Sequence, residues 1–582
     1  MVGPRCATAR EACCPVLSQG GGTLLDRLMS VAAANTGTAI HHVRSDGSEV
    51  KQSYAQLLAA ARRAAGGLRV AGASSGDRVI VLAGSSLEFL AAFWGCLLLG
   101  AVPVAISAPG DLERESEALR RLLHVWRVLG GPLVVAPDRL GPQLDAFAAR
   151  LRGLRWTPTS ALAGAEPESD RHRAAPEDIA LLQFSSGSTS HPHGVRLRHS
   201  NLIANIQDTI TTCRFDRSDT MISWLPYSHD MGLIGFHLIP LSVGMDQVVM
   251  SPLQFMRNPR LWLAKITEHH ATVAGCPNFA LEYVTSRVLE GSIAGLDLSS
   301  LRLLFVGAEP VSAQAVRRFT AAAAPAGFRS TAMYPGYGLA EACLAVTLPR
   351  LGDEPRVVRV DRASLRENVT REPTDERSQV ELVALGPPLP SIEVRIVDDA
   401  GAPAGPSHVG SVQVRGPSVS DGYEGVASEE FPAAGDGWLD TGDLGFWSDG
   451  SLVLTGRGTD VIFVNGEKIY PQDVEWLAAG ALGVAAHEVA ACGYHDSILG
   501  GERIALFVKR RDGVLKESEA NTLRESIFKR SGLWLDMVFA VPALPWTTSG
   551  KTQRYRLREM LEDGSRPAEP APDQAVEAGI AP

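Results

Sequence analysis

The chain has 582 residues, 45% of them apolar and 21% charged, with a formal net charge of −10. That is the balance of a soluble globular protein too long for a single core, so two or more domains are expected. The acidic balance argues against a nucleic-acid partner, and the most apolar window, residues 79–106, is broken by Ser85, Ser86, Glu88 and several Gly and Pro, so it reads as strand, helix, strand and not as a membrane span.

Eight cysteines stand at 6, 13, 14, 96, 213, 276, 343 and 492 without a C-x-x-C pair, which points to reduced thiols and a cytoplasmic protein. The N-terminus has no continuous apolar segment of the secretory-signal type, and residues 1–20 read as unstructured. Lysine is scarce: seven against 48 arginines.

From residue 24 to about 350, helices and strands alternate: a helix over 57–70, a strand over 79–82, a helix over 87–99, a strand over 102–106. The fold class is α/β, with a large N-terminal domain of parallel-type sheets and flanking helices. Residues 179–184 read as a buried strand and 195–197 as a second one, with a helix from Asn201 onward. Between the strands lie Ser185, Ser186, Gly187, Ser188, Thr189 and Ser190. A small hydroxyl-rich loop between two apolar strands suits a phosphate chain, because glycine lets the backbone approach and N–H and O–H groups face anionic oxygens. The other reading is a surface linker.

Residues 351–380 are charged with little apolar periodicity and read as a solvated surface loop. Short strands over 392–397 and 411–415 suggest a β-rich subdomain. After Gly456 the chain reads as a small, mobile α+β domain: a strand over 461–464, Pro471 heading a helix over 472–479, strands over 484–491 and 504–510, and a helix over 518–529. The tail over 565–582 is Pro/Ala/Glu-rich and reads as disordered. The expected organisation is therefore a large domain over 21–456 and a small one over 457–564.

The loop at 185–194 departs from the G-x-x-x-x-G-K-[ST] pattern. It resembles the phosphate loop [ST]-S-G-[ST]-T-G-x-P-K-G-V of the adenylate-forming acyl and aryl ligases, with Ser190 at the second Gly and His193 at the Lys. Six further stretches fit that superfamily in order: WLPYSHDMGLIG (224–235), VGAEPVS (306–312), YPGYGLAEACLAVT (334–347), LDTGDLG (439–445), GRGTDVIFVNGEKIYPQDVE (456–475) and PWTTSGKTQR (545–554). The resemblance spans about 24–562. The form of the 224–235 motif, Ala340 in place of Thr, and an insertion at 351–380 place it nearest the fatty acyl-AMP ligases.

That resemblance implies ATP and Mg²⁺, a fatty acid substrate, and a separate acyl carrier protein or a carrier domain of a polyketide or peptide synthase as partner. It implies Lys551 and His229 as catalytic, the latter gating the acyl pocket. For ATP it implies Ser185, Ser186, Gly187, Ser188, Thr189, Gly307, Ala308, Glu309, Pro310, Gly336, Tyr337, Gly338, Leu339, Asp443 and Arg457. Glu341 is implied for the metal, and Met231, Gly232, Phe279 and Tyr283 for the acyl pocket. In the hinge, Thr459 stands where Asp or Lys is common.

The residue types suit the chemistry. A carboxylate must reach the α-phosphate of ATP, and a cation at 4 Å offsets about 4 kcal/mol of repulsion at an effective dielectric near 20. Lys551 is the candidate for that role. Glu341 offers hard oxygen to Mg²⁺, or is a helix-start glutamate. Tyr337 stacks on adenine or is a core tyrosine with a bonded hydroxyl. Asp443 accepts ribose hydroxyls or is a turn residue. An acyl-CoA ligase is the alternative reaction; a catalytically inactive acyl- or nucleotide-binding module is the alternative of another class.

Overall fold

The apolar runs at 79–82 and 102–106 form the middle of a six-stranded sheet. Its order is Trp156–Pro158, Leu133–Ala136, Arg78–Ala83, Val102–Ser107, Ile179–Phe184 and Gly194–Arg198, with only the last strand antiparallel. The computed structural model describes residues 22–562 apart from 113–115, 170–171, 185–191, 428–430, 433–435, 465–466, 496–501 and 548–550. A seven-stranded sheet lies beside the first, ordered Met333–Pro335, Leu303–Gly307, Val273–Pro277, Thr220–Ser223, Asp246–Val249, Ala39–Val43 and Glu49–Ser53. Its first six strands run parallel and Glu49–Ser53 closes one edge antiparallel. Parallel strands need covered faces, which is why these segments are apolar on both sides. Helices such as Tyr54–Val70 and Ser86–Leu99 provide that cover, and the α/β reading is borne out.

The short strands expected near 392 and 411 become Glu393–Val397 and Gly410–Arg415, joined by Leu439–Ser448 and Ser451–Arg457 in a four-stranded antiparallel sheet. Past Arg457 the chain builds a three-stranded sheet, Val489–His495, Glu502–Lys509 and Met537–Val541. Helices Pro471–Leu482 and Glu517–Ser531 share one core with it; Arg554–Glu562 packs on Val489–His495 through another. The strand expected over 484–491 starts later, at Val489, because Ala486–Glu488 forms a tight turn closed by the Ala485 N–H donating to Glu488 Oε2 at 3.2 Å.

Residues 351–380 are not a plain surface loop. Val357–Asp361 pairs antiparallel with Gln379–Val383, and the helix Arg362–Arg366 follows the first strand. Two of the charges there, Arg362 and Arg366, face the small unit. Arg362 is buried, with Nε 2.6 Å from Asp473 Oδ2, and its Nη1 donates to the Arg530 carbonyl at 3.3 Å. Arg366 pairs with Glu467 at 2.8 Å and donates to the Ser531 carbonyl at 2.9 Å.

The two ends read as unstructured, 1–20 and 565–582, lie outside the described residues. Among the described residues, no helix is long and apolar enough to cross a membrane, and Cys96, Cys213, Cys276, Cys343 and Cys492 are buried free thiols.

Candidate active site

In open α/β sheets ligands gather beyond the carboxyl ends of the strands. Here Leu303–Gly307 ends on Gly307, Ala308 and Glu309, which line cavities facing the small unit. One cavity, of about 350 Å³, is bounded by Ala308, Tyr337, Glu341, Arg457 and Lys551 at its polar end, and by Met231, Phe236, Phe305 and Met221 in its apolar part. A second, of about 210 Å³, shares Ala308, Gly336, Tyr337, Gly338, Arg457 and Lys551, and adds Phe279, Glu309, Pro310 and Asp443. Ala308 holds φ +68, a left-handed conformation rare for a residue with a Cβ, at the junction of the two cavities. Gly338 is required by close approach: a Cβ there would sit 1.8 Å from the Leu344 carbonyl oxygen.

Tyr337 is buried and its hydroxyl donates to Asp443 Oδ2 at 2.6 Å. Asp443 Oδ1 lies 3.2 Å from Arg457 Nε, its register partner across the strands Leu439–Ser448 and Ser451–Arg457. Burial, then the Asp443 carboxylate, pushes the Tyr337 hydroxyl well above the ordinary tyrosine range. The bonded-hydroxyl reading of Tyr337 therefore holds in this structure, and its ring still lines both cavities.

Glu341 lines the first cavity; its Oε1 accepts from the Tyr423 hydroxyl at 2.9 Å and its carbonyl from the Ser420 N–H at 2.7 Å. The Tyr423 ring stacks on His193, centroids 4.9 Å apart. His193, expected from the resemblance at a lysine position, thus lies against the Glu341 partner. The predicted loop residues Ser185, Ser186, Gly187, Ser188 and Thr189 lie outside the described residues.

Lys551 is tied to Thr547 by two bonds: its N–H donates to Thr547 Oγ1 at 3.0 Å, and its carbonyl accepts from the Thr547 N–H at 2.8 Å. Burial, then the neighbouring Arg457, lower the ammonium pKa against the pull of Asp230, Asp443 and Glu309. Burial raises the Glu309 carboxyl to about 7, although the Phe279 N–H donates to its Oε1 at 2.7 Å and Lys551 opposes the shift. Both groups are desolvated and shifted toward neutrality, a perturbation that clusters at functional sites.

His229 Nδ1 is 2.8 Å from Asp230 Oδ1, and both line the first cavity. Burial pushes the Asp230 carboxyl up, but His229 and Lys551 outweigh it and hold it below its usual value. Met231 lines the same cavity and Leu339 does too. Of the other pocket candidates, Phe279 lines only the second cavity, and two more line neither. Gly232 is a packing residue, since a Cβ would meet the Pro226 carbonyl oxygen at 2.3 Å. Tyr283 lines neither cavity; its hydroxyl donates to the Met256 carbonyl at 2.6 Å and its ring packs on Phe255. Asp230, Tyr423 and the Arg554 clasp were not anticipated. Asp230 was findable as an acid beside a histidine in an apolar run; Tyr423 sits in the turn D-G-Y-E-G, which carries no such signal. Arg554 is bound by Glu475 at 2.8 Å and by Asp460 at 3.1 Å, tying the base of the Lys551 loop to the segment just past Arg457.

Comparison with known proteins decides the family, because a family model described as AMP-binding enzyme matches residues 30–424. The chain belongs to the AMP-binding enzyme family. This AMP-binding enzyme is 34% identical to a provisionally named acyl-CoA synthetase of Caulobacter vibrioides, covering 92% of this chain and 94% of that one. It is 31% identical to the medium-chain-fatty-acid–[acyl-carrier-protein] ligase JamA of Moorena producens, over 84% of this chain and 86% of that one. Among solved structures, it superposes with TM-score 0.85 at 29% identity on a chain from work on fatty acyl-adenylate ligases of E. coli and L. pneumophila, covering 93% and 98%. The expected adenylate-forming fold and the likeness to fatty acyl-AMP ligases are borne out.

Proposed function

We propose that this AMP-binding enzyme activates a fatty acid with ATP and passes the acyl group to the phosphopantetheine thiol of a separate acyl carrier protein or carrier domain. The carrying observation is the first cavity, which is apolar at one end and holds Arg457, Glu341 and Lys551 at the other. A carboxylate oxygen attacks the α-phosphorus of ATP, the bond to the bridging oxygen breaks, and pyrophosphate leaves. The Lys551 ammonium, lining both cavities, offsets the charge of the two anions as they meet. In the second step the carrier thiol gives up its proton, sulfur attacks the acyl carbonyl carbon, and AMP leaves. The Tyr337–Asp443–Arg457 group supports a ribose and phosphate role. Glu341 keeps lone pairs beyond the one bonded to Tyr423, so it suits Mg²⁺, which would supply charge neutralisation for the phosphates.

An acyl-CoA ligase is the second reading, favoured by the name of the Caulobacter relative. Against it stands the 351–380 segment, whose Arg362 and Arg366 hold the small unit from the large one. Free buried thiols support a cytoplasmic setting. The test is pyrophosphate release with ATP, Mg²⁺ and fatty acids, followed by mass spectrometry of the product with a carrier protein or with CoA. Lys551→Ala should lower release by about 10²–10³. Acyl-CoA as the main product would promote the second reading, and no adenylate from any acid would leave a binding module.

A further inference from the structure

The apolar part of the first cavity has a measurable depth. Leu303–Gly307 descends from the polar end, and Leu303 is in register with Val273, which is in register with Met221. Register partners in parallel strands share a face, so Met221, Phe305 and Gly307 lie on one side of the sheet. Phe305, Gly307 and Met221 all line the cavity, which therefore runs four residue steps below Gly307, about 13 Å at about 3.3 Å per residue. Extended carbon chains with bonds of about 1.5 Å advance about 1.3 Å per carbon, so about ten carbons fill that depth.

The lower end is closed by Phe215, which is buried and packs on Phe305 with centroids 6.3 Å apart. The Arg302 guanidinium covers the ring at 5.3 Å and is held by Asp219, with Nε–Oδ1 at 2.7 Å, and by the Cys213 carbonyl at 2.9 Å. A longer chain would displace Phe215 and push a methyl end onto a charged pair. The Thr209 hydroxyl, also at the cavity wall, already donates to the Asn205 carbonyl at 2.8 Å, so it offers no hydroxyl donor to a polar chain end.

Resting on the ligase reading above, we propose that the substrate is a medium-chain fatty acid with an apolar tail, of about eight to twelve carbons, and that Phe215 sets the upper limit. The full chain is assayed for pyrophosphate release with ATP, Mg²⁺ and a series of straight-chain acids from butanoic to octadecanoic. The expected kcat/KM peaks at decanoic or dodecanoic acid and falls about tenfold or more by hexadecanoic acid. Phe215→Ala should move the peak to longer acids and raise hexadecanoic turnover about tenfold, with the melting temperature recording that the fold persists. If that variant does not fold, Phe215→Leu should move the peak in the same direction by fewer carbons. A wild-type peak at hexadecanoic or octadecanoic acid overturns the length limit while leaving the ligase reading standing. An unmoved profile in a folded Phe215 variant overturns the role of Phe215. No release with any acid overturns the ligase reading and this inference with it.

Discussion

Glu309 carries a carboxyl whose charge is opposed by its surroundings. Burial raises it from an ordinary 4.5 to about 7, with the Phe279 N–H and the Lys551 ammonium only partly compensating. A carboxyl raised on folding favours the folded state while protonated, so its contribution is present below pH 4.5 and is lost as pH rises toward 7. Glu309→Gln removes that loss. The variant should melt about 2–4 °C above wild type at pH 8 and close to it at pH 4.5, read by scanning calorimetry at both values. A difference that is the same at both pH values would place the Glu309 effect elsewhere. The residue itself was legible from G-A-E-P, but its shifted carboxyl was not. That shift comes from burial made by the folded chain, and the groups that oppose it are equally remote: the Phe279 N–H, thirty residues away in sequence, and Lys551 on the small unit.

At the scale of elements, periodic segments were legible and the charged one was misread from its composition alone. The helix expected over 57–70 is Tyr54–Val70, and the strand expected over 179–184 is Ile179–Phe184, because apolar spacing reports a buried face directly. Residues 351–380 gave no such signal. Composition records that Arg362 and Arg366 are charged, not whether they face water or Asp473 and Glu467. Both partners of the Arg362–Asp473 pair are largely buried, and removing one leaves the other uncompensated, at a cost of about 3–5 kcal/mol. Arg362→Ala should therefore loosen the small unit first. Limited proteolysis should cut it near Pro471–Leu482 or Glu517–Ser531 well before the seven-stranded sheet, and an unchanged cleavage pattern would mean that Arg366 and Lys468 hold the unit without it.

For the whole molecule, the ordered motifs named residues that line the two cavities, but contacts between distant segments were invisible to them. The far edge of the seven-stranded sheet is the clearest case. Glu49 on the edge strand accepts from Lys265 at 2.7 Å and bonds His269 Nε2 at 2.8 Å, tying that strand to Pro259–His269, while His41 on the next strand lies 3.1 Å from it. Three ligating side chains meet there, yet the Lys265 ammonium occupies the carboxylate, so the cluster acts as an ion-pair brace. Burial pushes the Glu49 carboxyl up, but the bonds from Lys265 and His269 outweigh it and hold it at about 2. Its contribution is therefore full above pH 4.5 and is lost as pH falls toward 2. His41, raised chiefly by its bond to Asp246, contributes below 6.5 and loses that contribution as pH rises through its folded value. The brace is strongest where both are charged, between about pH 4.5 and 6.5. Glu49→Gln should cost about 2 kcal/mol there, since the pair is only partly shielded from solvent. The melting-temperature gap from wild type should be widest near pH 5.5 and narrow below 4.5, where wild type loses the same interaction; a gap that stays constant on acidification would mean that Glu49 packs the edge strand without its charge.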